Sequence, residues 1–212
     1  MSFLKKRKTG TREVREPVLI VCEDSKSSVY YLKEKVKSAR LTSTEVEVSG
    51  DSNSAPISVV DFAIERKRQQ RIKAKKEGIY EYKEIYCVMD VDNHDTLRNA
   101  IIKAKDHLLL PIISNESFEL WYLLHFTDQN AHIERHKINK KLSEYLGKDY
   151  DKADEKIFEY LMQKGNEKNA IERAKKLEKQ SLDSDPDLLI KKNPTTDVYV
   201  LIEKINELSR NG

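Results

Sequence analysis

Three acidic residues, Glu23, Asp90 and Asp92, have the types and the spacing that a divalent metal site needs. Glu23 directly follows the apolar run VLIVC, and Asp90 closes a second apolar run, EIYCVMD. Asp90 and Asp92 are two positions apart, so on an extended or turning backbone both carboxylates point to the same side. Such a pair can hold one hard cation, Mg²⁺ or Mn²⁺, or two cations about 4 Å apart.

The chemistry that this arrangement implies is phosphoryl transfer on a phosphodiester. Three neighbouring carboxylates repel one another unless a cation lies between them, and Mg²⁺ takes phosphate oxygens and waters as its remaining ligands. Glu23 would then take a proton from an attacking water or return one to the leaving oxygen. The structural alternative is that each acid only caps the helix that follows its strand.

The elements that must position these acids are predicted from the apolar pattern of residues 17–127. Short apolar or alternating runs predict four strands, at residues 18–22, 44–50, 84–90 and 108–114. Amphipathic stretches between and after them predict helices, with Ser25 or Ser27 capping the first and Asp95 the third. Pro111 indicates an edge position or a break in the fourth strand.

The predicted order β-α-β-α-β-α-β favours a doubly wound, mostly parallel α/β sheet of the Rossmann-like type. Strands one and three would be neighbours in the order 2-1-3-4, and ligands of such sheets bind where the strand order reverses. From about residue 128 the pattern changes to helices alone, although VYVLI at residues 198–202 could be a strand. We therefore expect a basic arm (1–16), an α/β domain (17–127) and a helical extension (128–212).

The charge pattern allows a nucleic-acid partner without requiring one. The formal net charge is +3, but the first 16 residues are strongly basic and could lie along phosphates or simply be solvated. The run ERKRQQRIKAKK carries Arg66, Arg68 and Arg71, which could hold a nucleic-acid backbone, form a solvated helix face or bind an acidic partner. This run has no aromatic residue, which argues against reading of single strands there.

Cysteine use and hydropathy favour a cytoplasmic protein. Cys22 and Cys87 each lie in an apolar run and are expected to be buried strand residues. No secretory signal or membrane span is recognisable, so a reducing cytoplasm is the expected location.

Three further polar residues follow the predicted strands. Lys26 could meet a phosphate, His94 could protonate a leaving group, and Asn115 could orient the substrate. Their alternatives are a solvated lysine, an exposed loop histidine and a helix cap. His125 and Trp121 lie on an apolar helix and are expected to belong to the core.

Four sequence blocks resemble the RloB-like family, whose members carry a Toprim-type domain. VLIVCEDSKSSVYYL resembles the strand, Cys-Glu-Gly and helix that open this domain, and VMDVDNHD resembles its Asp-x-Asp motif. SNESFELWYLLHF is similar to the family block Asn-Pro-x-Phe-Glu-x-Trp-Leu-Leu-His-Phe, and NPTTDVYVLIEKI resembles the closing Asn-Pro-Ser-Thr-x-Val segment. The blocks occur in the family's order and span almost the whole chain.

The resemblance implies a site and a function. It makes Glu23 a general base or metal ligand, Asp90 and Asp92 the metal pair, and Glu119 a further acid facing the same crevice, with Mg²⁺ or Mn²⁺ as cofactor. It implies a nuclease that cuts RNA, tRNA among the candidates, or DNA in defence against phage, with an ABC-type ATPase as partner. The alternative is a catalytically weak or inert binding subunit of such a complex, and a homo-oligomer is open in either case.

The chain departs from the family pattern at three places. Asp24 replaces the usual glycine, Ser27-Ser28 replaces Thr-Glu, and Asn115-Glu116 replaces Asn-Pro. Asp24 adds a carboxylate and Ser28 removes one, which keeps the weak or inert alternative open. A third hypothesis, a phosphoacceptor domain of response-regulator type, needs a fifth strand ending in lysine, which the sequence does not indicate.

Overall fold

A five-stranded sheet forms the centre of the molecule in the computed structural model, which describes residues 16–52, 55–91, 96–179 and 190–210. The strands run in the order β2-β1-β3-β4-β5, with β5 antiparallel to β4 and the others parallel. They are β1 (Val18–Cys22), β2 (Val46–Ser49), β3 (Glu84–Asp90), β4 (Leu110–Asn115) and β5 (Thr195–Thr196). The predicted Rossmann-like order 2-1-3-4 is confirmed.

Eight helices surround the sheet in the described part of the chain. They are α1 (Ser27–Ser38), α2 (Pro56–Glu77), α3 (Leu97–Asp106), α4 (Glu119–Leu124), α5 (Arg135–Leu146), α6 (Ile157–Lys164), α7 (Glu167–Lys179) and α8 (Val198–Arg210). The first three connect parallel strands, which cannot be joined by a short turn.

The two faces of the sheet carry separate apolar cores because side chains alternate along each strand. Leu19 and Val21 of β1 pack with α2 and α3, while Val18 and Ile20 pack on the opposite side with α1, α4 and the C-terminal helices. Both faces of the parallel strands are therefore buried, which explains why their sequences are continuous apolar runs.

The C-terminal helices complete the core on the α1 side of the sheet. Ile138, Leu161 and Ile202 belong to the same buried cluster as Tyr31 and Trp121. The change of pattern near residue 128 thus marks no break in this core, and Trp121 is a core residue as expected.

The structure corrects two local predictions. β5 was not expected. VYVLI lies in α8, which confirms the predicted helix over this segment against the alternative of a strand. Asp24, rather than Ser25 or Ser27, accepts the N–H of Ser28 in the first turn of α1, at 3.2 Å.

Pro111 lies inside β4, where β3 pairs with one side of the strand. β5 pairs only with Ser114 and Asn115, so the described structure has no strand on the outer side of Pro111. The expected edge position is therefore correct at this residue.

Several predictions fall on residues outside the described ranges. They concern Asp92, His94, the Asp95 cap and the basic arm up to residue 15. Among the helices that are described, none combines the length and the apolar character that crossing a bilayer requires.

Candidate functional site

Glu23 lies directly beyond the carboxyl end of β1 and contacts the end of β3. Its N–H donates to the carbonyl of Val88 at 3.1 Å, which extends the β1–β3 ladder by one residue. Its Oε2 accepts the N–H of Asp90 at 3.0 Å. The register of the neighbouring parallel strands β1 and β3 thus places Glu23 beside Asp90.

Asp90 ends β3 and is ion-paired with a residue from the C-terminal half. Arg135, the first residue of α5, places Nη2 3.3 Å from Oδ2 of Asp90, whose side chain is 17% exposed. The N–H of Arg135 donates to Glu116 at 2.6 Å, which fixes the start of α5 next to the end of β4.

Asp24 is held by the first turn of α1 and by the side chain of Lys152. Ser27 Oγ donates to it at 2.5 Å, Ser28 donates through both its hydroxyl and its N–H, and Lys152 Nζ lies 3.1 Å from its Oδ2. Burial alone would raise the pKa of Asp24, but the two serines and Lys152 outweigh it and lower that pKa. Ser27 and Ser28 therefore keep Asp24 ionised.

Glu119 is the fourth acid at this place and is 3% exposed. It begins α4, and its Oε1 accepts a hydrogen bond of 3.0 Å from the hydroxyl of Tyr150. Burial and the charge of Glu119 raise the pKa of Tyr150, so this phenol stays protonated and remains a donor. We call Glu23, Asp24, Asp90 and Glu119 the acidic cluster.

The acidic cluster has an excess of negative charge around Asp90. Burial, followed by the carboxylates of Glu119, Glu23 and Asp24, raises the pKa of Asp90 well above its usual range, although Arg135 opposes this. Conversely, Asp24, Glu119 and Asp90 together raise the pKa of Lys152 against the effect of burial. A bound cation would relieve this repulsion.

The described acids supply only part of a complete metal coordination shell. No three His, Cys, Asp or Glu side chains are arranged to hold a metal ion within the described ranges, which exclude Asp92. Glu23 and Asp90 offer the hard carboxylate oxygens that Mg²⁺ prefers. The donor chemistry of these two acids fits a divalent cation.

The turn after β1 can adopt this arrangement because glycine stands at position 50. A Cβ there would lie 2.7 Å from Val29 Cγ2 and 2.8 Å from the carbonyl oxygen of Asp24. Asp24 itself keeps a negative φ, since Arg40 and Leu108 are the non-glycine residues with positive φ in the described structure. Replacement of the family's usual glycine by Asp24 therefore needs no left-handed backbone here.

Two of the expected substrate-binding residues lie at the same edge of the sheet. Lys26 is exposed at the start of α1, two residues after Asp24. Asn115 is 4% exposed at the end of β4, and its amide donates to the carbonyl of Ile190 at 2.7 Å. Lys26 can meet a ligand at this edge, whereas Asn115 connects the segment before β5 to the sheet.

The structure does not bring Arg66, Arg68 and Arg71 to the acidic cluster. α2 runs back from the carboxyl ends of the strands, and Arg66 contacts Glu47 at the start of β2 and Tyr82 just before β3. Arg68 pairs with Glu65 at 2.8 Å, one turn back on its own helix. These arginines lie toward the amino ends of the strands, whereas the acidic cluster lies at their carboxyl ends.

Sequence reasoning missed three residues of this site: Arg135, Tyr150 and Lys152. They lie at the start of α5 and in the loop between α5 and α6, far along the chain from the strands. Nothing in their local sequence distinguishes them from other charged or aromatic residues of the C-terminal half. They reach the acids only because that half folds back over the sheet edge.

Comparison with known proteins gives one match. A family model described as RloB-like protein matches residues 18–205, from the first residue of β1 into α8. Neither the curated proteins nor the solved structures give a match. The matched range contains the whole acidic cluster and the three residues of the C-terminal half that contact it.

Proposed function

The chain belongs to the RloB-like family, and from this premise we propose that it is a Toprim-type, divalent-metal-dependent nuclease that hydrolyses phosphodiester bonds. The observation that carries the proposal is the contact between Glu23 and the Asp90 end of β3, inside a cluster of four carboxylates. Acids from two separated sequence blocks converge at the edge where ligands of doubly wound sheets bind.

Each residue of the site has a chemical role in this proposal. Glu23 would bind the cation through one carboxylate oxygen and accept the proton of the attacking water with the other, and Lys152 and Arg135 bind the non-bridging oxygens of the phosphate. Tyr150 holds Glu119 in place through its hydroxyl hydrogen bond. Lys26, exposed beside Asp24, binds a flanking phosphate of the nucleic acid.

A divalent cation would be held by Asp90 and Glu23, with Asp92 as a further ligand and with Glu119, which accepts the Tyr150 hydroxyl, adding negative charge beside them. When bound, Mg²⁺ supplies charge stabilisation at the phosphate and lowers the pKa of a coordinated water. A cation on Oδ2 of Asp90 would displace Arg135, and the scissile phosphate offers its guanidinium a new partner.

The biological setting that we propose rests on the family resemblance alone. The nuclease would act in the cytoplasm on RNA, tRNA included, or on DNA during defence against phage. An ABC-type ATPase would be its partner and would control when it cuts. A second copy of the chain in that assembly is compatible with the proposal.

The test is cleavage of labelled tRNA, single-stranded RNA and duplex DNA in the presence of Mg²⁺ or Mn²⁺ at about millimolar concentration. We expect cleavage by the wild type and a loss of at least about 100-fold in Glu23→Gln and Asp90→Asn. Asp106→Asn, at an exposed position at the end of α3, is the matched control and should cut normally.

The result that contradicts the proposal is equal behaviour of the wild type and both site variants, in cutting and in cellular toxicity. That outcome would favour a binding subunit that retains the fold with an inert site. Circular dichroism must show that both variants are folded, which their conservative, uncharged replacements permit.

A further inference from the structure

β2 is an edge strand, and its outer side offers peptide groups for pairing. β1 lies on one side of β2, and no described strand lies on the other. Val18 N–H donates to the carbonyl of Glu45, and peptide groups along a strand alternate between its two sides. Val46 and Val48 therefore direct their carbonyls, and Val48 its N–H, toward the outer edge.

A groove of about 470 Å³ runs along this edge, between β2 and the end of α1. Its floor is apolar and is formed by Val36, Leu41, Val46 and Val48. No proline or lysine interrupts the four residues of β2, although such residues commonly protect exposed edges. The edge is therefore open to an added strand.

The rim of the groove is cationic. Lys33, Lys37 and Arg40 line it and are exposed, and Lys37 also pairs with Glu34 of α1 at 3.1 Å. The one acid of the lining, Glu47, contacts Arg66 and Tyr82 on the other face of the sheet. Lys33 and Lys37 are four residues apart on α1, which is about 6 Å along the helix, and two residues of a strand advance about 6.6 Å. Acidic side chains at alternate positions of an added strand would match this spacing.

Arg40 stands at a position where glycine is usual. α1 ends with Arg40 N–H donating to Lys37 and Leu41 N–H donating to Val36, the pattern of a Schellman motif. Arg40 takes the left-handed conformation there, with φ of 57°. An arginine costs stability at this position relative to glycine, and its side chain stands in the lining of the groove.

We propose that this groove binds an extended acidic segment of a partner protein, which adds to the sheet beside β2. Glutamates at alternate positions would cover the two valines with their methylene groups and reach the lysines with their carboxylates. A second copy of this chain fits less well, because pairing β2 with β2 would bring two sets of cations together. The proposal does not depend on the nuclease activity.

The probe is a fluorescein-labelled Thr-Glu-Thr-Glu-Thr-Glu-Thr peptide, with the Gln-for-Glu peptide as control. We expect saturable binding by anisotropy at 50 mM salt, at least tenfold weaker for the Gln peptide and for Lys33→Glu/Lys37→Glu. Lys75→Glu/Lys76→Glu on α2 makes the same charge change far from the groove and should bind normally. The amide of Val48 should exchange more slowly when the Glu peptide is bound.

Arg40→Gly separates binding from folding. It should melt at a higher temperature than the wild type and yet bind the Glu peptide several-fold more weakly. The proposal is wrong if the Glu peptide does not bind at millimolar concentration, if the Gln peptide binds equally, or if Lys33→Glu/Lys37→Glu has no effect. It is also wrong if sedimentation shows a dimer that Val48→Pro dissociates, since β2 would then pair with a second copy.

Discussion

At the scale of single residues, the site is a balance between four acids and two cations. Arg135 is paired with Asp90 and Lys152 with Asp24, so the C-terminal half supplies the charges that make the acidic cluster tolerable. Burial first, and then the carboxylates of Glu119, Glu23 and Asp24, raise the pKa of Asp90 in spite of Arg135. A divalent cation on Oδ2 of Asp90 would compete with Arg135 for that oxygen.

This competition predicts the effect of removing the guanidinium. Arg135→Ala should bind Mn²⁺ several-fold more tightly than the wild type, because the ion no longer displaces a cation from Asp90. Cleavage should nevertheless fall by about tenfold or more, since a phosphate contact is lost. Titration with Mn²⁺ followed by electron paramagnetic resonance measures the first effect, with Arg68→Ala as control, and weaker Mn²⁺ binding in Arg135→Ala would refute it.

The approach of Glu23 to Asp90 could be predicted at this scale, because both follow apolar strands that are adjacent in a doubly wound sheet. The three partners from the C-terminal half could not, because their contacts depend on how α5 and the loop after it fold back. Lys152 and Asp24 are 128 positions apart, and no periodicity connects them.

At the scale of elements, the turn between β1 and α1 depends on the end of β2. Gly50 approaches this turn so closely that a Cβ would contact the backbone of Asp24 as well as Val29. The backbone oxygen cannot move away as a flexible side chain could. The position of Glu23 and Asp24 is therefore set partly by a residue on another strand.

Gly50→Ala should destabilise the protein by about 1 to 3 kcal/mol, as overpacking of a closed site does. It should also weaken Mn²⁺ binding, because relief of the contact shifts the turn that carries Glu23. Urea denaturation and metal titration give the two values. Gly78→Asn is the control, because nothing lies within 4 Å of a Cβ added there, and it should change the stability and the Mn²⁺ affinity little. If Gly50→Ala leaves both values unchanged, the turn is free to move and the explanation is wrong.

Asp197, which precedes α8, makes the stability depend on pH. Its carboxylate accepts the N–H of Ile113 at 3.2 Å, but burial, with Glu178 adding to it, raises its pKa to about 6. The folded state then binds the proton more tightly than the unfolded state. This contribution to stability is present below pH about 4 and is lost as the pH rises through about 6.

Asp197→Asn should therefore be more stable than the wild type above pH 6, by roughly 1 to 3 kcal/mol. The difference should shrink toward zero near pH 4, because Asn also accepts a hydrogen bond from Ile113. Urea denaturation at pH 4.5 and 7.5 measures the stability difference at each pH, with the exposed Asp106→Asn as control. A difference that is independent of pH would contradict the explanation.

The longer elements were predictable and the shortest was not. Apolar periodicity identifies β1, β3 and the helices that follow them, since burial on both faces leaves a continuous apolar run. β5 has two residues, both threonines, and pairs with the last two residues of β4, far earlier in the chain. No local pattern of that length distinguishes a strand from a loop.

At the scale of the whole molecule, one core joins the sheet to the C-terminal helices. A buried ion pair crosses the same boundary, with Lys35 Nζ of α1 2.6 Å from Glu167 Oε1 at the start of α7. Asn206 of α8 donates to the same carboxylate at 3.3 Å. The two halves should therefore unfold as a single cooperative unit.

Lys35→Met should lower the free energy of unfolding by about 2 to 4 kcal/mol, because it leaves Glu167 without its cation in a largely buried place. Lys35→Met/Glu167→Met should recover much of that loss. Far-ultraviolet circular dichroism and the fluorescence of Trp121 should report the same midpoint in each variant. Separate midpoints for the two signals would show that the halves unfold independently.

The central claim is that acids from β1 and β3 bind one divalent cation. A crystal soaked in Mn²⁺ and measured at the manganese absorption edge tests it most directly. We predict an anomalous peak between Glu23 and Asp90, with Arg135 moved away from Asp90. A crystal that shows no peak there at high Mn²⁺ concentration, with Arg135 still on Asp90, would contradict the claim.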